Sequence, residues 1–300
     1  MKVVQVVDSR EYVAGNCYQH QLLADLRRNS DHHLAVLNET TDLPTDAVIL
    51  STVKIRNVYK HIDRFAKMCK DRKVYFYDQD PWESFLDTAT YPNGYTNVLS
   101  RIPSAEFVVT SGWWCKFIND RGIKAHLCRM WILPEYCSYG EAFENRSVDV
   151  VFRGRLHPFR KRAIDALNGC GTNVVTVPST PDFSEWLSWL RTQRIFFHDE
   201  AEGWLINGKL TPKQCAMPKE VEIASQGCFA LRDSQSMEEL RNYGLDKVPC
   251  VLTYSSYEEC TKLVQWVNSL SHVEANQLIR RSVDQIKSVG GWADMRLILA

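Results

Sequence analysis

Three groups of residues in this 300-residue chain have the types and spacing to do chemistry. The first lies in MPKEVEIASQGCFALRD, Met217 to Asp233, where a helical stretch sets Lys219 and Glu222 three positions apart and so on roughly one face. The helix ends at Gly227 and runs at once into an apolar strand. A carboxylate placed this way can accept hydrogen bonds from a ribose diol, while the helix N-terminus and Lys219 face a phosphate. The same spacing also describes a surface helix with solvated charges and a glycine cap, and Glu220 reads as a solvated charge of that kind. The second group follows the strand Val150–Phe152, where Arg153, Gly154, Arg155, Arg160, Lys161 and Arg162 make a local positive field. Gly154 lets a backbone approach an anion closely, and several of the cations simply coat the start of a helix. The third group is Asp78 and Asp80 in KVYFYDQDPW, at the carboxyl end of a strand and before Pro81. Carboxylates there can take a proton from a hydroxyl or merely bond it, and such residues before proline are also ordinary turn formers.

These groups need a frame, and the chain supplies a regular one. Short β-branched runs alternate with helical patterns from end to end, the signature of βαβ units and parallel sheets. Strands are expected at Val3–Val7, His33–Asn38, Ala47–Thr52, Lys73–Asp80, Glu106–Thr110 and Lys124–Met130, with helices at Cys17–Arg28, Asn57–Lys70 and Trp114–Arg121. A Pro- and Gly-bearing stretch follows, and the pattern restarts at Val148–Gly154. It continues through strands at Asn173–Val177, Arg194–His198, Cys228–Asp233 and Val248–Tyr254, with helices at Phe159–Asn168, Phe183–Leu190, Pro218–Gln226 and Tyr257–Leu270. The strands are nearly continuous in apolar residues, as strands covered on both faces must be. The expected architecture is α/β: two Rossmann-like domains facing each other across a cleft, residues 1–140 and 141–271. A last helix from His272, within residues 272–300, can cross back onto the first domain. Ligands of such sheets bind beyond the carboxyl ends of the strands.

Composition narrows the classes. With 45% hydrophobic and 24% charged residues the chain is of ordinary globular type, which excludes a disordered or fibrous protein. Lys+Arg and Asp+Glu both number 36, so any polyanion contact has to be local. No apolar run approaches the ~18 residues that cross a bilayer, and MKVVQVVDSR reads as a strand rather than a signal peptide. Together these point to a cytoplasmic protein. The ten cysteines stand singly, without CxxC pairs, which argues against a zinc site or a disulfide framework.

The K-x-x-E-x-x-x-x-G pattern before an apolar strand resembles the nucleotide-sugar signature in the second domain of GT-B glycosyltransferases, closest to the group related to the spore maturation protein CgeB. VDVVFRGRLHPFRKRAIDAL, Val148 to Leu167, is similar to that group's opening strand, glycine loop and Arg-bearing helix, and KVYFYDQDPWESF to the acidic-Pro turn of its first domain. The resemblance implies transfer of a sugar from a nucleoside-diphosphate sugar to an acceptor hydroxyl. Lys219, Arg155 and Arg162 would hold phosphate, the last because the family places an Arg at that helical position. Fixed guanidinium groups can stabilise a departing diphosphate without a metal. Glu222 would hold the ribose, and Asp78 or Asp80 would act at the acceptor. Gly15, after the first strand, and Gly154 would allow close approach of the donor. His198 ends a strand near it, and the long connection Asp199–Ala216 adds Lys213 as a further phosphate contact. Gln214 departs from the family, whose retaining members often carry a second Glu eight positions before the ribose Glu.

DQD at Asp78–Asp80 also satisfies the Asp-x-Asp metal pattern of GT-A enzymes, but the two-domain layout opposes that reading, so neither a metal nor a cofactor beyond the nucleotide-sugar is expected. For the acceptor, basic residues along Arg56–Lys73 with Trp82, Trp113 and Trp114 fit a polynucleotide such as hydroxymethylated viral DNA, and they equally fit a saccharide. A nucleotide-sugar epimerase and a binding module without turnover are the rival readings.

Overall fold

The computed structural model describes residues 1–9, 17–37, 39, 43–86, 93–178, 182–199, 204–211 and 218–300. Gly15 and Lys213 lie outside these residues. The chain divides into two compact units: Met1–Met130 with Gly203–Thr211 and Trp292–Ala300, and Trp131–Glu202 with Pro212–Gly291. The change of unit thus falls at Met130 to Trp131, and the helix His272–Ser288 belongs to the second unit, leaving only the last residues to the first.

Unit 1 is built on β1 (Lys2–Val7), β2 (Asp31–Val36), β3 (Val48–Ser51), β4 (Val74–Asp78), β5 (Ala105–Val109) and β6 (Ala125–Leu127), parallel throughout in the order β2-β1-β3-β4-β5-β6. Val3, Val4, Ile49, Leu50, Phe76 and Phe107 are buried on it, which is why these strands read as apolar runs rather than alternating ones. The chain order reverses between β1 and β3, the kind of switch point at which α/β sheets bind ligands. The helix expected over Asn57–Lys70 is broken at His61 into Ile55–Lys60 and Ile62–Met68. A helix not anticipated, Gly94–Arg101, presses Tyr95 flat against Phe107 with ring centroids 3.9 Å apart. The terminal helix Ala293–Leu299 is pinned by Arg129, which makes a two-pronged bond to Asp294 at 2.7 and 2.8 Å, and by Arg296 on Asp25 at 2.8 Å.

Unit 2 carries β7 (Ser147–Arg153), β8 (Val174–Val177), β9 (Gln193–His198), β12 (Phe229–Asp233) and β13 (Val251–Tyr254), parallel in the order β13-β12-β9-β7-β8. Its own switch point lies between β7 and β9. Within the connection read from sequence as a long loop, β10 (Trp204–Ile206) and β11 (Lys209–Thr211), which belong to unit 1, form an antiparallel hairpin. Asn207 and Gly208 turn it with φ of 51° and 71°, the Asn-Gly chemistry of a two-residue hairpin.

Candidate functional site

In unit 2 the carboxyl end of β7 becomes progressively buried up to Arg153, whose guanidinium is a strut: Nε donates to Pro178 O at 2.9 Å, Nη2 bonds Glu185 at 2.7 Å, and the group lies over Trp189. The next residue, Gly154, has φ +147°, and a Cβ added there would stand 3.3 Å from Lys219 Nζ. Phe152, one turn of strand earlier, lies beneath two cations: Lys219 Nζ is 5.9 Å and the Arg160 guanidinium 5.7 Å from its ring centre. Arg160 is held by its own loop, Nη1 donating to Arg155 O at 3.1 Å. The helix Pro158–Gly169 starts beside them with Pro at its first turn and no side-chain cap. Two cations gathered at a glycine and a helix start suit an anion with several oxygens, because each positive group lowers the cost of placing charge there.

Of the two arginines favoured by sequence, Arg155 and Arg162 are both exposed, on the loop and on the helix surface. It is Arg160 from the same run whose guanidinium shares a ring with Lys219. Its signal was the run itself; which member turns inward depends on helix phase.

The helix Pro218–Ser225 carries Lys219, partly buried, and Glu222, which is 4% exposed and takes a hydrogen bond from Trp186 Nε1 at 2.8 Å. Gly227 must follow: its φ is +71°, and a Cβ would meet Tyr139 O at 2.6 Å. Glu220 corrects the sequence reading. It is not a solvated charge but fully buried, its Oε1 2.6 Å from His198 Nδ1 and 3.3 Å from Arg232 Nη1. Burial pushes its carboxyl up, and the Arg232 guanidinium and the His198 ring overcome that and hold it below the usual range. His198 is likewise 0% exposed, so it is packed beneath the helix rather than presented at a ligand surface. Next to it Asp199 accepts from Tyr254 OH at 2.7 Å and Tyr257 OH at 3.3 Å.

In unit 1 the two aspartates of DQD part company. Asp78 is 5% exposed at the end of β4, accepting from Tyr95 OH at 2.8 Å and from the Asp80 amide at 3.0 Å. Burial, and then the Asp80 charge, push its carboxyl up to about 7 against the pull of those two donors. Asp80 is half-buried and bonded to Lys54 Nζ at 3.0 Å. Both line a shallow recess, partly open to solvent, with Gln19 and Thr52. The recess lies at the sheet's carboxyl edge, its residues following β3 and β4. Tyr95 and Lys54 were not singled out from sequence; Pro92-Asn93-Gly94 before a helical pattern was the available signal for the former. Among the described residues no group of three His, Cys, Asp or Glu side chains is arranged to hold a metal ion, and no helix is long and apolar enough to cross a membrane.

No family model matches the sequence, and no curated protein does either. Solved structures do match. An alpha-glucosyltransferase in complex with UDP superposes with a TM-score of 0.66 at 9% identity, covering 99% of this chain and 99% of that one. An alpha-glucosyltransferase with UDP-glucose and DNA containing an abasic site gives 0.64 at 9% identity over 100% and 98%. The alpha,alpha-trehalose 6-phosphate synthase of Burkholderia multivorans gives 0.54 at 9% identity over 99% and 98%. This chain therefore has the GT-B glycosyltransferase fold.

Proposed function

We propose that this chain is a glycosyltransferase that moves a sugar from a nucleoside-diphosphate sugar to an acceptor hydroxyl, of the CgeB-like group that its K-x-x-E-x-x-x-x-G motif resembles. The observation that carries the reading is the convergence of Lys219 and Arg160 on Phe152 at Gly154, with Glu222 on the same helix as Lys219. Lys219, Arg160 and Arg155 take the diphosphate, and Glu222, steadied by Trp186, takes the ribose diol. As the glycosidic bond breaks, negative charge grows on the diphosphate, and fixed cations stabilise it without reorganising. They do this in place of a metal ion, and no cofactor beyond the donor is required.

In unit 1, Asp78 is the group that can receive the acceptor proton, since a carboxyl poised near 7 is matched to that task. Asp80, fixed by Lys54, bonds the acceptor beside it. A polynucleotide acceptor is the second reading, favoured by exposed Tyr59, Lys60, Lys67 and Lys70 on one basic stretch and by the DNA present in solved structures of this fold. The eight cysteines whose side chains the structure describes are all free thiols, and the setting that goes with this reading is the cytoplasm, where nucleotide-sugars serve as donors.

The test is incubation with a panel of nucleotide-sugars, following nucleoside diphosphate release with saccharide acceptors, with hydroxymethylated DNA and with none. Acceptor-dependent release is expected. Sugar isomerisation without acceptor would mark an epimerase, and binding without release a non-catalytic module.

A further inference from the structure

The buried triad under the helix Pro218–Ser225 is not used by that mechanism. Glu220 stands in the first turn of this eight-residue helix, next to Lys219. Its partners come from two neighbouring central strands, His198 at the end of β9 and Arg232 on β12, which are paired in register. All three side chains are 0% exposed. Arg232 is itself fixed, Nη2 donating to Ser236 Oγ at 2.6 Å and Nε lying 3.4 Å from Asp233 Oδ2. Glu220 Oε2 has no hydrogen-bond partner among the described residues, so Glu220 meets His198 and Arg232 through the single oxygen Oε1. A carboxylate only accepts, so the 2.6 Å contact calls for a proton on His198 Nδ1, the nitrogen that Arg232 Nη1 also approaches to 3.2 Å.

A buried charged cluster is a poor source of net stability, because desolvation consumes most of the Coulombic gain and apolar residues of equal volume do as well. What it supplies is a unique register: an uncompensated charge results if the helix start turns or slides. The residue whose place depends most on that register is Lys219, with its Nζ 3.3 Å from the Cβ position of Gly154.

Resting on the phosphate role of Lys219, we propose that Glu220, His198 and Arg232 are positioning residues, clamping the helix start to β9 and β12 so that Lys219 is held over Gly154 before any ligand arrives. The clamp acts on affinity through Lys219 and touches no substrate.

The experiment is a double-mutant cycle read by calorimetric titration with uridine diphosphate, with hydrogen exchange on the ligand-free protein alongside. Glu220→Gln should weaken binding about tenfold in the otherwise native chain and less than twofold on a Lys219→Ala background, because positioning is worthless once the amine is gone. Equal losses on both backgrounds, or none, would overturn the proposal. If Lys219→Ala itself leaves affinity unchanged, the phosphate reading fails separately, and the clamp is judged by exchange alone. Amides of residues 219–225 should then lose protection in Glu220→Gln while those of β7 keep theirs, and wild-type protection at 219–225 sinks the clamp. Should Glu220→Gln not fold, His198→Gln, which keeps an N–H for Glu220, should retain both affinity and protection where His198→Leu loses them. The same behaviour in both His198 variants would refute the idea.

Discussion

Tyr95 donates its hydroxyl to Asp78 across 2.8 Å inside unit 1, and both side chains are buried. The carboxyl nevertheless sits near 7 rather than at its ordinary 3.8, since burial and the neighbouring Asp80 charge outweigh that bond. The folded chain therefore keeps a proton that the unfolded chain gives up. Stability contributed by Asp78 is full below about pH 3.8 and is lost as pH rises through 7, at up to roughly 1.4 kcal/mol per pH unit. Asp78→Asn has no such titration. Urea unfolding at pH 5 and pH 8 should show its stability rising relative to the native chain by roughly 2–3 kcal/mol between those pH values. Parallel pH dependence in the two proteins would contradict the assignment. Tyr95→Phe removes a bond that lowers the Asp78 value and should carry the same window to higher pH.

Gly154 leaves the room that Lys219 occupies. Lys219→Ala should cost about tenfold in nucleoside diphosphate affinity, or ~1.4 kcal/mol. Gly154→Ala should cost affinity and stability together, because its φ of +147° strains any side chain by roughly 1–3 kcal/mol and the new methyl presses on Nζ. Calorimetric titration and thermal unfolding read the two effects; native affinity in Gly154→Ala would remove the close approach from the site.

Trp186 anchors one oxygen of Glu222. If that carboxylate holds the ribose diol, the native chain should prefer uridine diphosphate over its 2′,3′-dideoxy analogue and Glu222→Ala should bind both equally weakly. Trp186→Phe leaves the buried carboxylate short of a donor, which costs about 1–3 kcal/mol of stability, and should fall between the two in selectivity. An unaltered preference in Glu222→Ala would place the ribose elsewhere.

Asp294 gathers the Arg129 guanidinium and the Arg129 amide, the latter at 3.0 Å. Burial raises its carboxyl, and the Arg129 bonds more than reverse this, leaving it below the usual range. Asp294→Ala should lower stability by about 1 kcal/mol at neutral pH, a value discounted for the 40% exposure of the Arg129 side chain. The difference should shrink as pH falls below about 3.8, where the unfolded chain takes up a proton that the folded carboxyl, held lower, still refuses. A penalty constant down to pH 3 would mean that Asp294 stabilises by packing alone.

The alternation of apolar runs and helical patterns was enough to read two parallel α/β sheets, because strands covered on both faces admit only apolar side chains whatever the details of packing. The pairing of Lys219 with Glu222 on one face was legible for a similar reason: helical periodicity is local. Glu220 was not. A charged residue on an amphipathic helix looks the same in sequence whether it meets water or a buried His198 and Arg232, and those partners come from strands far along the chain. The helix that delivers Tyr95 and the break at His61 are not written in local periodicity, because short helices are settled by what they pack on more than by propensity.

Residue order alone therefore determined which strands must be buried and which charged residues lie close together on one helix or loop, through periodicities of two and 3.6 that act over a single element. The tertiary structure decided which of five clustered cations reaches Phe152, why Asp78 keeps a proton while Asp80 pairs with Lys54, and that the charge beside Lys219 is sequestered. Those outcomes depend on desolvation and on distances between elements, and neither exists until the sheets have formed.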